Sequence, residues 1–210
     1  MKILAISGSS VKGGNVDKTV KAVMDATGLD GEFIRLASYK VNPCIACLKC
    51  VDDNHCKQKD DYSQILEGKI READAIIIGA YPTFATTDAR TKTFCERTYS
   101  LRHCNMQLKG KRAVVIAGGY KSNQAVEDWL KLFCKAQGME VVGSMQTCGH
   151  PTCLFCGHGE ECQVSNVKAL YGEGTKVESH MFKDFDKLPE LQEKAKQLGI
   201  ILRDKLKNSD

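Results

Sequence analysis

Apolar residues fall in short continuous runs, and between the runs they recur at helical spacing. Residues 2–6 form an apolar, β-branched run that ends in Ser7-Gly8-Ser9-Ser10. Over 15–26, Val16, Val20, Val23 and Met24 repeat at three- and four-residue intervals, which predicts one buried face of a helix. Residues 32–37 read as a second strand, and 62–72 as a helix with Ile65, Leu66 and Ile70 inward. Residues 73–80 are almost continuously apolar, the pattern of a parallel strand covered on both faces. A helix over 89–102, a strand over 112–117, a helix over 123–137, a strand over 139–144 and a closing helix over 188–206 complete the alternation.

Strands alternating with helices require right-handed crossovers and a parallel sheet. The expected fold class is therefore α/β, a doubly wound five-stranded parallel sheet of order 2-1-3-4-5. A length of 210 residues suits one such domain, spanning 1–210. Two segments fit no core element. Residues 42–61 form a Cys-rich loop after strand 2, and 147–186 form a Cys- and Gly-rich insertion after strand 5 that is too long for a plain connection.

Composition narrows the class. The apolar runs are too short to span a bilayer, and the chain enters a strand at once with no room for a leader, so a cytoplasmic protein without membrane partners is expected. A net charge of +4, with basic residues interspersed among acidic ones, offers no basic stripe and argues against nucleic acid. The 11 cysteines are the outlying number, and in a cytosolic chain clustered cysteines favour metal or redox chemistry over a disulfide scaffold.

Ligands of doubly wound sheets lie beyond the carboxyl ends of the strands. There, residues 7–15 supply hydroxyls, glycines and a lysine just before a helix N-terminus, where free N–H groups and the helix dipole favour an anion. The loop is neither a Walker loop nor a Gly-x-Gly-x-x-Gly fingerprint, so a mononucleotide such as FMN is the simpler reading, against a small-residue turn with Asn15 as helix cap. Tyr81, Pro82, Thr83, Phe84 and Ala85 after strand 3, and Gly118, Gly119 and Tyr120 after strand 4, offer walls for a flat ring.

Cys44, Cys47, Cys50 and Cys56 form C-x2-C-x2-C-x5-C. Three close spacings let one loop wrap three corners of a cubane, which favours a [4Fe-4S] cluster over zinc. Cys148, Cys153, Cys156 and Cys162, with His150 and His158 nearby, form a second group open to another iron-sulfur cluster, to zinc, or to no metal. Cys95, Cys104 and Cys134 lack ligand spacing and are expected to be buried thiols, Trp129 is expected in the core, and His55 and His103 at loop or helix ends. Arg90 and Lys92 are expected to be solvated helix charges.

The Ser-Gly-Ser turn, the compact four-cysteine loop and Tyr-Pro-Thr-Phe together resemble the iron-sulfur flavoprotein family, a flavodoxin-like branch of the NADPH-dependent FMN reductase group. The resemblance spans about residues 2–143. It implies a flavodoxin-like fold, FMN, a [4Fe-4S] cluster, and a homodimer or homotetramer that brings cluster and flavin of neighbouring subunits close. It places FMN phosphate contacts on Ser7, Ser9, Ser10, Lys12, Gly14, Asn15 and Val16. Ser10, Val11 and Val16 depart from the proline, arginine and hydroxyl usual there. The expected activity is a flavin-dependent iron-sulfur oxidoreductase taking electrons from a ferredoxin or NAD(P)H to a small-molecule acceptor. Alternatives are a reductase of one small organic substrate whose pocket is built by 147–186, and a zinc-stabilised binding module on the same scaffold.

Overall fold

The computed structural model describes residues 1–208. Its sheet contains β1 (Lys2–Ser7), β2 (Asp30–Arg35), β3 (Ala75–Ala80), β6 (Arg112–Gly118) and β7 (Glu140–Thr147), hydrogen-bonded in the order β2-β1-β3-β6-β7. All four pairings are parallel. Strands β4 (Pro82–Thr83) and β5 (Thr86–Thr87) form a separate small hairpin, so the sheet follows the expected doubly wound order.

Side chains alternate across a strand, and here the alternation sorts the core into two halves. Leu4, Ile6, Ile76, Ile78 and Val115 face Leu66, Ile70, Phe94, Val126 and Leu130. The latter belong to the segment leading into α2 (Glu67–Glu72), α2 itself, α3 (Ala89–Arg97) and α4 (Asn123–Ala136). Ile3, Ala5, Ile77, Val114 and Ile116 face α1 (Asn15–Ala26) and α6 (Pro189–Lys207) through Val16, Val20, Val23, Leu198 and Leu202. Each such aliphatic side chain contributes about 1.5–3 kcal/mol on full burial, which explains why the buried strands were legible as apolar runs.

Four local expectations change. The helix over 62–72 begins as a π-turn, Tyr62–Leu66, whose wider winding turns Ile65 outward to 39% exposure. The helix from Ala89 tightens to a 3-10 turn over Thr98–Arg102. Cys104, at the end of that turn, is exposed, whereas Cys95 and Cys134 are buried as expected. Trp129 sits at the edge of the core, stacked on Phe133 with Lys92 over its ring, because α4 presents that side to α3 and solvent.

Residues 148–188 hold no strand among the described residues. They wind through 3-10 turns and a short helix, α5 (Asn166–Tyr171), around a small core of Leu154, Val167 and Met181.

Candidate cofactor site

The carboxyl ends of β1, β3 and β6 open into a pocket of about 720 Å³, within the range of about 300–1,000 Å³ typical of small-molecule and cofactor sites. The β1–α1 loop forms one side. Beneath it, the buried Asp17 carboxylate accepts from Ser7 Oγ at 2.6 Å and Gly13 N–H at 2.9 Å and pairs with Arg35 Nε at 2.9 Å. Ser7 is therefore a strut below the loop. Ser9 Oγ accepts from Val11 N–H at 3.1 Å and folds the turn. Gly14 occupies the cap position of α1, and its lack of a side chain leaves the helix without a side-chain cap. Asn15, expected as that cap, instead donates to the Lys183 carbonyl and accepts from Phe185 N–H, tying the loop to the later insertion.

Val16 is wedged against the sheet. A Cβ on Gly79 or Gly118 would lie 3.0 or 2.4 Å from its methyl groups, so these two glycines make room for α1 to approach the strand ends. Ser10 hydrogen-bonds both Tyr81 Oη and Arg90 Nη1 at 2.8 Å. Arg90, expected to be merely solvated, thus places a cation beside the loop where Val11 offers none.

Ser9, Ser10, Gly14, Asn15 and Val16 line the pocket together with Tyr81, Pro82, Gly118, Gly119 and Tyr120. Lys12 and the hairpin tip of Thr83, Phe84 and Ala85 fall outside its lining. Phe84 is 99% exposed, because Phe84 and Ala85 both adopt left-handed φ at the turn and point away from the sheet.

The opposite wall comes from the insertion: Cys148, Gly149, His150, Phe155, Phe182 and Lys183. Gly149 lies so close to Gly119 that a Cβ would sit 2.5 Å from the Gly119 Cα. Lys18, on α1, is clamped by Asp184 and Asp186 at 2.5 and 2.6 Å, and these hydrogen bonds hold the Lys18 ammonium above its ordinary pKa. None of these insertion residues was assigned to the pocket by strand-end reasoning, since only the folded chain brings residues 148–187 back over β6.

Cys44, Cys47, Cys50 and Cys56 line one cavity of about 90 Å³, shared with Ile45, Ala46, Leu48, Arg97, Tyr99 and His103. Ala46 and Leu48, one in each gap between the first three cysteines, adopt left-handed φ of 50° and 57°. Such turns aim successive N–H groups into anion-binding concavities, a backbone shared by phosphate and iron-sulfur sites. Burial pushes the Cys50 thiol up, and its three neighbouring cysteines add to the shift.

Arg97 is 1% exposed and donates to Cys56 Sγ at 3.1 Å. Its guanidinium is fixed by Asp60 at 3.0 Å and the Asn42 carbonyl at 2.9 Å, over the Tyr62 ring. The Cys56 N–H donates to the buried Glu67 carboxylate at 3.0 Å. Arg97 Nε and His103 Nε2 are buried without a hydrogen-bond partner. Buried polar atoms rarely go unpaired, so orphaned nitrogens on residues of a thiol-lined cavity fit an anionic sulfur cluster. Among the described residues no three His, Cys, Asp or Glu side chains converge as ligands of one metal ion.

The second cysteine group lies along the insertion and its 3-10 turn over Thr152–Leu154. Cys148 lines the large pocket, while Cys153 accepts from Asn166 N–H at 3.3 Å, which holds its thiol below the ordinary value. Cys156 is exposed and accepts from His158 N–H at 3.4 Å.

A family model of NADPH-dependent FMN reductases matches residues 1–150. The chain is 34% identical over 156 residues to an iron-sulfur flavoprotein of Methanocaldococcus jannaschii, covering 71% of this chain and 80% of that protein. It is 33% identical over 153 residues to an iron-sulfur flavoprotein of Methanosarcina thermophila, covering 68% and 78%. A flavodoxin structure from the domain Archaea superposes with a TM-score of 0.57 at 14% identity over 99% of both chains, a likeness of fold alone. The family match stops at residue 150, so Phe155, Phe182 and Lys183 of the wall formed by the insertion lie beyond it.

Proposed function

The chain belongs to the NADPH-dependent FMN reductase family, among the iron-sulfur flavoproteins, and is a flavin-dependent oxidoreductase; from that premise we propose that it holds FMN in the strand-end pocket and a [4Fe-4S] cluster on Cys44, Cys47, Cys50 and Cys56, and passes electrons between them. The observation that carries the cluster is the cavity lined by all four cysteines together with two residues bearing orphaned buried nitrogens. A zinc ion draws four thiolates to about 2.3 Å from one point. Structural zinc usually takes its thiolates from two separated knuckles, whereas the three close spacings of Cys44, Cys47, Cys50 and Cys56 suit one loop around a cubane.

For FMN, the uncapped start of α1 and Arg90 beside Ser10 receive the phosphate, and Tyr81, Pro82, Gly118, Gly119 and Tyr120 border the ring. When bound, FMN interconverts two-electron and one-electron chemistry; the chain's residues bind and orient it. A ferredoxin or NAD(P)H is the donor and a small molecule the acceptor in this reading. Ile45, Leu48, Val51 and Tyr99 are all more than 40% exposed around the cysteine loop, an apolar rim suited to another subunit in a homodimer or homotetramer.

The test is C47S/C50S, two exposed or half-buried positions in the loop. The variant is expected to lose its iron and retain FMN. Retention of wild-type iron and sulfide would refute the ligand assignment.

A further inference from the structure

One turn of the insertion presents two thiols on unequal terms. Leu154 N–H donates to the Pro151 carbonyl at 3.1 Å, and the N–H groups of Phe155 and Cys156 both donate to the Thr152 carbonyl, at 2.9 and 3.1 Å. The 3-10 turn over Thr152–Leu154 continues in right-handed helical backbone through Phe155. Residues three apart on such a turn are neighbours, with Cβ atoms about 5–6 Å apart, so Cys153 and Cys156 share one face. The Cys156 Sγ lies 3.6 Å from the Cys153 carbonyl oxygen. A disulfide needs a Cβ separation of about 3.5–4.5 Å, so a small movement of one end closes it.

The two ends of the turn are held differently. Gly159 packs so tightly on the Cys153 backbone that a Cβ there would lie 2.3 Å from the Cys153 carbonyl oxygen. Asn166 N–H donates to Cys153 Sγ at 3.3 Å, and Ser165 Oγ secures this crossing by donating to the Gly159 carbonyl. Cys153 is thus half-buried and anchored. Cys156 is exposed, and its Sγ accepts from His158 N–H at 3.4 Å. Gly157 follows with φ of 77° and open space where a Cβ would stand, which gives Cys156 a pivot. An anchored, shielded thiol beside an exposed, movable one suits thiol–disulfide exchange, in which the exposed sulfur attacks and the anchored one resolves.

We propose that Cys153 and Cys156 form a redox-active dithiol that reduces disulfide compounds. The Cys156 sulfur attacks one sulfur of the substrate, breaking its S–S bond and releasing one thiol. The Cys153 sulfur then attacks Cys156 Sγ, closing the internal disulfide and releasing the second thiol. The two cysteine protons leave on the two product thiols, so the pair gives up two electrons and the substrate gains them. A low-potential dithiol restores the pair by the reverse exchange. Thr152 and Phe155 of the same turn line the strand-end pocket, yet the exchange requires neither FMN nor the cluster. Both cysteines lie beyond the region that matches the family.

The probe is oxidised glutathione, mixed with protein purified without oxygen, followed by trapping with iodoacetamide and peptide mass spectrometry. Wild type and C162S are expected to convert the thiols at 153 and 156 to one mutual disulfide, which dithiothreitol reopens. C153S should stop with glutathione bound at position 156, and C156S should react at position 153 at least about tenfold more slowly. Free thiols persisting at 153 and 156 in wild type, a disulfide from either to Cys148 or Cys162, or equal reaction of the two single variants overturns the proposal. Metal retained by C47S/C50S and lost when C153S is added also overturns it, because the two thiols are then ligands.

Discussion

Arg97 lies 41 residues from Cys56 in sequence, yet its Nη2 is 3.1 Å from the sulfur. A guanidinium buried this deeply is costly unless paired, and Asp60 supplies the countercharge. Burial acts most strongly, raising the Asp60 carboxyl, but the Arg97 hydrogen bond and charge together with the Asn42 and Ser63 N–H groups outweigh it and hold the group below its ordinary value. A donor to a cluster thiolate stabilises the more negative, reduced state. R97K and R97Q are therefore expected to lower the cluster potential by about 60 mV, the one-electron equivalent of a tenfold shift. Spectroelectrochemistry of the loaded protein checks this, and an unchanged potential would leave Arg97 a purely structural role. Asp17 is the corresponding anchor of the phosphate loop. D17N removes a charge that serves Ser7, Gly13 and Arg35, and should weaken FMN binding about tenfold or more in a flavin titration while circular dichroism stays native. Neither anchor was legible in the sequence. A spacing motif shows the ligands but not a distant side chain that the fold delivers to them.

Elements were legible where both faces are covered. β3 is buried at every position, so its apolar run left no ambiguity. The π-turn at Tyr62–Leu66 was not visible, because Asp60 bonds to the backbone of Tyr62 and Ser63 set the winding there, and a periodicity count places Ile65 on the buried face. The hairpin of β4 and β5 is not visible in the sequence, because the aromatic and small residues of 81–85 suit a loop equally well, and Tyr81 and Pro82 line the pocket from it. Val16 shows how closely α1 is fitted to the sheet. G118A would drive a Cβ into its methyl group and is expected to destabilise the protein by about 1–3 kcal/mol in denaturant unfolding. Glu127 joins α4 to β7 through Ser144 and Gln146 and also binds Lys131. Burial raises this carboxyl, but the three hydrogen bonds outweigh burial and leave it below its ordinary value. Its contribution is thus present above the unfolded Glu pKa of about 4.3 and is lost as pH falls through the lower folded value. E127Q should flatten that acid limb of the stability profile.

At the scale of the molecule, two cavities of different chemistry belong to one sheet. The large one opens at the strand ends, and the small one is enclosed by the loop after β2 and the 3-10 turn after α3. The sequence disclosed the first through its Gly- and Ser-rich turn and the second through cysteine spacing. A pocket built by 147–186 was among its readings, but not that this insertion would wall the strand-end cavity itself, because that relation depends on how residues 148–188 fold back over β6.

The most direct test of the paired-cofactor account is iron, acid-labile sulfide and flavin content of the chain purified without oxygen. The account predicts about four iron and four sulfide, as one [4Fe-4S] cluster requires, and one FMN per chain. Protein carrying zinc alone, or flavin without iron and sulfide, would contradict it.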